Sequence, residues 1–209
     1  MTRLTEEPTK KTLAALATIW FVAGASQTWA AQHTPWAFDP HHTSVTLTIQ
    51  HIVAKVLGTF DDVQGQVIFD PEQPDKGSVE VTIPVKSINT RVEKRDAHLR
   101  SADFFDVEKY PVMTFVSRQI LPQNTPGRFI ARGTLTIKNI SRPMDLPFTY
   151  QGTRPHPMDP SKEVIGFEAH AVIDRLEFGV GNGEFFRRGL IGKDVEIAIY
   201  VEMLRDKGK

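Results

Sequence analysis

From residue 31 onward the apolar residues recur at every second position, not every third or fourth, and this period restricts most of the chain to strands with one buried face. Val45, Leu47 and Ile49 alternate with Thr46, Thr48 and Gln50 over residues 44–51. Val79, Val81, Ile83 and Val85 alternate with Glu80, Thr82, Pro84 and Lys86. Pro84 cannot donate to a ladder and marks an edge or a bulge. Another long strand carries Phe60 and then residues 67–69, interrupted near 61–65, and further strands are expected over 112–120, 129–138, 143–150, 164–174 and 194–203. The tally is about eight. Segments rich in Gly, Pro, Asn and Asp separate them at 71–77, 122–127, 139–143, 155–160 and 179–189, and connections this short favour antiparallel neighbours.

The alternation breaks once, at residues 90–106, where Arg91, Glu93, Lys94, Arg95, Asp96, His98 and Arg100 crowd around Val92, Ala97 and Leu99. This pattern predicts a short helical insertion around residues 91–105. Thr90 is placed to cap it, with Glu93 completing a capping box. Phe104 and Phe105 are expected to staple the segment to the strands.

Eight alternating antiparallel strands form either a two-sheet sandwich or a closed barrel, and closure removes the exposed edges altogether. An all-β, eight-stranded antiparallel β-barrel is therefore expected. Its interior is just wide enough to be filled by side chains or to hold one small ligand. Ala131, Gly133, Ala169 and Ala171 fall on apolar parities and argue for space inside, although small residues also fit the taper of a filled barrel. By parity, Val45, Leu47, Ile49, Val81, Ile83, Val85, Met113, Phe115, Leu135, Phe148 and Phe167 point inward, as pocket lining or as core. His51 shares the parity of Ile49. A buried imidazole needs a partner, so His51 is expected either to close the barrel end with a hydrogen bond or to touch a ligand head group. Arg95, Asp96, His98 and Arg100 are read as a network pinning the helix; alternatively Arg95, His98 and Arg100 meet a head group at the mouth.

Charge and composition exclude several classes. With 25 basic and 25 acidic residues there is no electrostatic reason to expect nucleic acid or an anionic membrane surface as partner. The absence of Cys excludes disulfides, a thiolate nucleophile, Cys-ligated metal and a thioether lipid anchor. Near the N-terminus, Arg3, Lys10 and Lys11 precede an uncharged run over 12–25, and Thr28-Trp29-Ala30 follows. Residues 1–30 thus read as a secretory signal peptide, since the run falls short of the about 20 residues a membrane-spanning helix needs. A single domain over 31–209 remains, exported to the periplasm, or outside the cell where there is no outer membrane, with no stable membrane insertion after cleavage. A homodimer is left open.

No Gly-x-Ser-x-Gly elbow, His-Glu-x-x-His or phosphate-binding Gly-rich loop is present. Of seven His residues only His41 and His42 are close in sequence, and neighbours on a strand face opposite ways. No catalytic residue, metal site or cofactor is expected. Two alternatives stay open: a small barrel enzyme, an isomerase or hydrolase pairing His51 with an inward carboxylate, and a stress-response protein with a closed lumen.

The run Ser87-Ile88-Asn89-Thr90, then residues 95–106 (Arg-Asp-Ala-His-Leu-Arg-Ser-Ala-Asp-Phe-Phe-Asp) and Tyr110-Pro111, closely resembles the signature of the YceI-like family, exported lipid- or polyisoprenoid-binding proteins of bacteria. The likeness continues, in order, through Asp39, His42, Ser44, Val45, His51, Gly58-Thr59-Phe60, Thr114-Phe115, 133–137, 166–169, Arg175 and Phe178-Gly179. Lys138-Asn139-Ile140 departs from it where the family more often has Gly before Thr, which puts that hairpin's turn type in question. The resemblance implies a lipocalin-like barrel that acts as carrier or reservoir, not catalyst. Its expected ligand is a polyisoprenoid, an isoprenoid quinone or a fatty-acyl amphiphile, held chiefly by the apolar lining.

Overall fold

The computed structural model describes residues 34–207, and the signal peptide expected over 1–30 lies outside them. Eleven strands form one antiparallel sheet: β1 (Trp36–Phe38), β2 (Ser44–His51), β3 (Ala54–Phe60), β4 (Gln64–Ile68), β5 (Ser78–Pro84), β6 (Ile88–Asn89), β7 (Val112–Pro122), β8 (Arg128–Ile137), β9 (Ile140–Pro155), β10 (Lys162–Asp174) and β11 (Ile191–Asp206). The extra strands are halves of bent ones. β1 and β2 both pair with β11, β3 and β4 pair with β2 and β1, and β6 and β5 pair with β3 and β4. Joining these halves leaves eight strand lines in sequential order, and the first pairs with the last, so the sheet is a closed eight-stranded antiparallel barrel.

Each bend has a local cause. Between β1 and β2, Asp39 Oδ1 accepts from the His41 N–H at 2.9 Å and Oδ2 meets His42 Nδ1 at 2.8 Å, making a side-chain-supported turn. The backbone of Glu202 on β11 holds both sides of it, accepting from Asp39 and donating to the His42 carbonyl. Between β3 and β4, Asp61 takes Thr59 Oγ1 and Asn89 Nδ2. Gly65 then follows at φ +134°, where a Cβ would lie 2.0 Å from the Glu80 carbonyl oxygen. The third bend is the 3-10 turn Val85–Ser87 that ends β5 at Pro84.

The β8–β9 hairpin settles the turn left open by the sequence. Ile137 pairs with Ile140 across a two-residue loop in which Lys138 (φ +51°) and Asn139 (φ +60°) are both left-handed, the type I′ geometry that matches strand twist. Lys138 holds this unfavourable conformation while its Nζ donates to the Phe104 carbonyl at 2.6 Å and the Gly179 carbonyl at 2.9 Å.

Helix α1 (Glu93–Arg100) occupies the predicted insertion, but the expected capping box does not form. Val92 is the N-cap and has no side-chain hydrogen bond. Thr90 instead gives its N–H and hydroxyl to Asp96 Oδ1, a buried carboxylate on the helix, while Arg95 donates from Nε to Thr90 Oγ1 and from Nη2 to the Thr90 carbonyl. A second short helix, α2 (Glu184–Arg187), precedes β11. Both stand at the rim where β2, β5, β8 and β10 end. Among the described residues no helix is long and apolar enough to cross a membrane.

Candidate functional site

The barrel interior has two apolar zones. At the end away from α1, Trp36, Val67, Phe69, Ile120, Phe129, Ile165, Val201 and Met203 pack into a closed floor. Phe69 is its centre, with the rings of Phe129, Phe148, Tyr150 and Phe167 at centroid distances of 5.1 to 5.7 Å, mostly edge-to-face. Trp36 is 2% exposed, donates Nε1–H to the Phe69 carbonyl and lies 4.0 Å beneath the Arg205 guanidinium.

Above the floor lies a cavity of about 330 Å³, within the range of small-molecule sites. Its wall alternates along most strands, and on β7 the consecutive Met113, Thr114 and Phe115 all line it. Val45, Leu47 and Ile49 line it from β2, Val81 and Ile83 from β5, Met113 and Phe115 from β7, Leu135 from β8, Phe148 from β9 and Phe167 from β10. Ala131, Ala169 and Ala171 also line it and leave room, whereas the space at Gly133 is taken by the Phe115 ring, 2.8 Å from where a Cβ would stand. Leu99, Phe104 and Phe105, from α1 and the turns after it, pack against the upper core, so the insertion lies over the mouth.

Of the sequence-based placements, Val85 and His51 are corrected, and Arg100 takes the first of its two readings. Val85 does not line the cavity: β5 ends at Pro84, and Val85, 2% exposed, faces the core from the 3-10 turn. His51 lines the mouth but is exposed and makes no hydrogen bond through its ring among the described residues, because the last residue of β2 stands on the rim. Arg100 is also absent from the lining; Nε and Nη2 donate to the Lys86 and Ile88 carbonyls at 3.1 Å, pinning α1 to the bend between β5 and β6. Arg95 and His98 do line the cavity, Arg95 held by Thr90, and His98 set edge-on to Phe104 with Nε2 2.9 Å from Asp103 Oδ2. Among the described residues no Asp or Glu lines the cavity, so His51 has no inward carboxylate with which to move a proton.

The sequence reading assigned no role to Arg175. It opens the 3-10 turn Arg175–Phe178 after β10, and although it is 6% exposed its side chain reaches the cavity wall. Nε donates to the Gly192 carbonyl at 2.9 Å and Nη1 to the Val180 carbonyl at 2.6 Å. The guanidinium lies 6.0 Å from the Phe104 ring, and burial lowers its pKa from the ordinary arginine value. A turn residue beyond a strand end carries no periodic signal; only its place in the family pattern marked it.

Outside the cavity, Asp39, His42 and Glu202 bring carboxylate and imidazole atoms within 4.8 Å of one another. Asp39 and His42 already satisfy each other at 2.8 Å, which raises the His42 pKa and lowers that of Asp39.

Comparison with known proteins agrees with this architecture. The model of the YceI-like domain matches residues 36–203. A UPF0312 protein of Pectobacterium atrosepticum is 31% identical over 95% of this chain and 99% of its own length. Protein YceI of Salmonella arizonae is 31% identical over 81% and 85% respectively. Among solved structures, Burkholderia cenocepacia BcnA superposes with a TM-score of 0.70 at 26% identity, covering 79% of this chain and 98% of that one. A domain from Saccharophagus degradans described as polyisoprenoid-binding has a TM-score of 0.61 at 13% identity, covering 80% and 97%, a likeness of fold. With the family model spanning the whole barrel and relatives matched over nearly their full length, the chain belongs to the YceI-like family.

Proposed function

We propose that this protein is an exported carrier or reservoir that holds one long apolar amphiphile, a polyisoprenoid, an isoprenoid quinone or a fatty-acyl compound, inside its barrel. The observation that carries the reading is the cavity: about 330 Å³, walled by Val, Leu, Ile, Met, Phe and Ala, with its polar side chains gathered toward the α1 end. Such a lumen favours a chain that enters tail first. Burying roughly ten methylene equivalents at about 0.8 kcal/mol each gives about 8 kcal/mol before ordering costs, the free energy of a micromolar complex. The apolar wall supplies the affinity, and among the described residues no Asp or Glu lines the cavity. Export rests on the basic, apolar and small-residue pattern of residues 1–30.

Native mass spectrometry of the protein purified from its own exported fraction, followed by organic extraction, tests the proposal. One isoprenoid or acyl molecule per barrel is the expected result. An empty protein that also refuses added quinones, polyprenols and fatty acids would overturn it and leave the lining as core.

A further inference from the structure

The lumen contains one polar atom whose situation an apolar carrier alone does not explain. Arg175 is nineteen-twentieths buried, two of its nitrogens are satisfied by backbone carbonyls, and Nη2 is buried with no hydrogen-bond partner among the described residues. A guanidinium keeps its proton in proteins, and an unsatisfied buried donor on a charged group is among the more costly features a fold can retain. The nearest acid in sequence, Asp174, is turned away: Oδ1 accepts from the Leu176 N–H and Oδ2 is held by Lys193 at 2.7 Å. The other two sides of the guanidinium are closed. The Phe104 ring lies 6.0 Å from it, and a Cβ at Gly181 would stand 2.5 Å from Nη1. Gly181, at φ +83°, thus lets the backbone pass close beside the guanidinium.

We propose that Arg175 Nη2 is the head-group site of the lumen, donating to an oxygen of the bound amphiphile and favouring a carboxylate over a neutral oxygen. This deepens the carrier reading and rests on it. The position suits a tail-first ligand: the floor around Phe69 takes the tail, while Arg175, at the α1 end below Phe104, meets the polar end. Arg95 and His98 are engaged with Thr90 and Asp103, and His51 stands exposed on the rim, so among the described lining residues Arg175 is the cation whose unpartnered donor is buried.

The test uses the delipidated protein and three probes sharing one C16 chain: palmitate, methyl palmitate and hexadecanol, each followed by calorimetry in detergent-free buffer above pH 7. An ion pair with a carboxylate, in place of a hydrogen bond from the same guanidinium to a neutral oxygen, predicts palmitate binding about ten- to a hundredfold more tightly than the ester or the alcohol. In R175Q, whose shorter side chain keeps a single amide donor group and cannot satisfy the Gly192 and Val180 carbonyls together, the preference for palmitate should fall to near unity. Equal affinity of the parent for all three probes overturns the head-group assignment and leaves the carrier reading standing. Binding of none overturns both. Should R175Q not fold, the parent's ranking of the three probes decides by itself.

Discussion

At the residue scale, the Asp39–His42 pair and Lys138 show how single side chains hold the bends that close the barrel. The hydrogen bond raises the His42 pKa above 6.5 and lowers the Asp39 pKa below 3.8. A raised His contributes stability fully below its unfolded pKa and loses it as pH climbs through the folded value; a lowered Asp contributes above its unfolded pKa and loses it as pH falls through the folded value. The shared contribution is therefore largest between about pH 4 and pH 6.5 and fades on either side. The thermal midpoint of His42→Gln should fall furthest below the parent near pH 5 and converge with it by about pH 9. A difference that does not vary with pH would assign the turn to backbone geometry alone. Lys138 makes a separate prediction. Lys138→Met keeps the aliphatic stem and removes the donor to the Phe104 and Gly179 carbonyls, which should cost about 1–3 kcal/mol in urea unfolding.

At the scale of elements, the sequence shows most of the wall and little of the rim. Alternation places Met113 and Phe115 correctly because both precede the irregularity at Ser117/Gln119; beyond it, buried Ile120 has the opposite parity. Phe148 likewise lies before the bulge that brings Gly152 opposite Gly166 and Tyr150 opposite Phe167. Val85 fails because a 3-10 turn follows Pro84, and a pattern of period two does not announce where its strand stops. Thr90 is a plausible cap by sequence, yet its hydroxyl goes to Asp96, since a buried carboxylate needs donors more urgently than a helix end open to water does. β1, only three residues long, is too short to show a period. Gly133 on β8 is legible only in space, where Phe115 on β7 lies across it. Gly133→Ala would set a Cβ 2.5 Å from the Val116 carbonyl oxygen. The strands and the ring must shift, at a cost of about 1–3 kcal/mol by denaturant unfolding.

At the scale of the whole molecule, a closed barrel decouples stability from function in a way that can be measured. Closure, the Phe69 floor and the bends stabilise the fold, while the wall above the floor encloses space. If the space serves a ligand, filling it should benefit the empty protein and harm only binding. Ala169 and Ala171 share one face of β10, opposite Ile199 and Ile197 on β11, and both line the cavity. The double variant Ala169→Leu/Ala171→Leu adds apolar volume on the cavity wall. The delipidated variant should match or exceed the parent in thermal stability, by about 0.5–2 kcal/mol for cavity filling. Native mass spectrometry of the same variant should show loss of the copurifying amphiphile. Marked destabilisation would mean that the alanines are already in close contact, and the lumen would then be core. Unchanged occupancy together with raised stability would move the ligand out of the upper lumen.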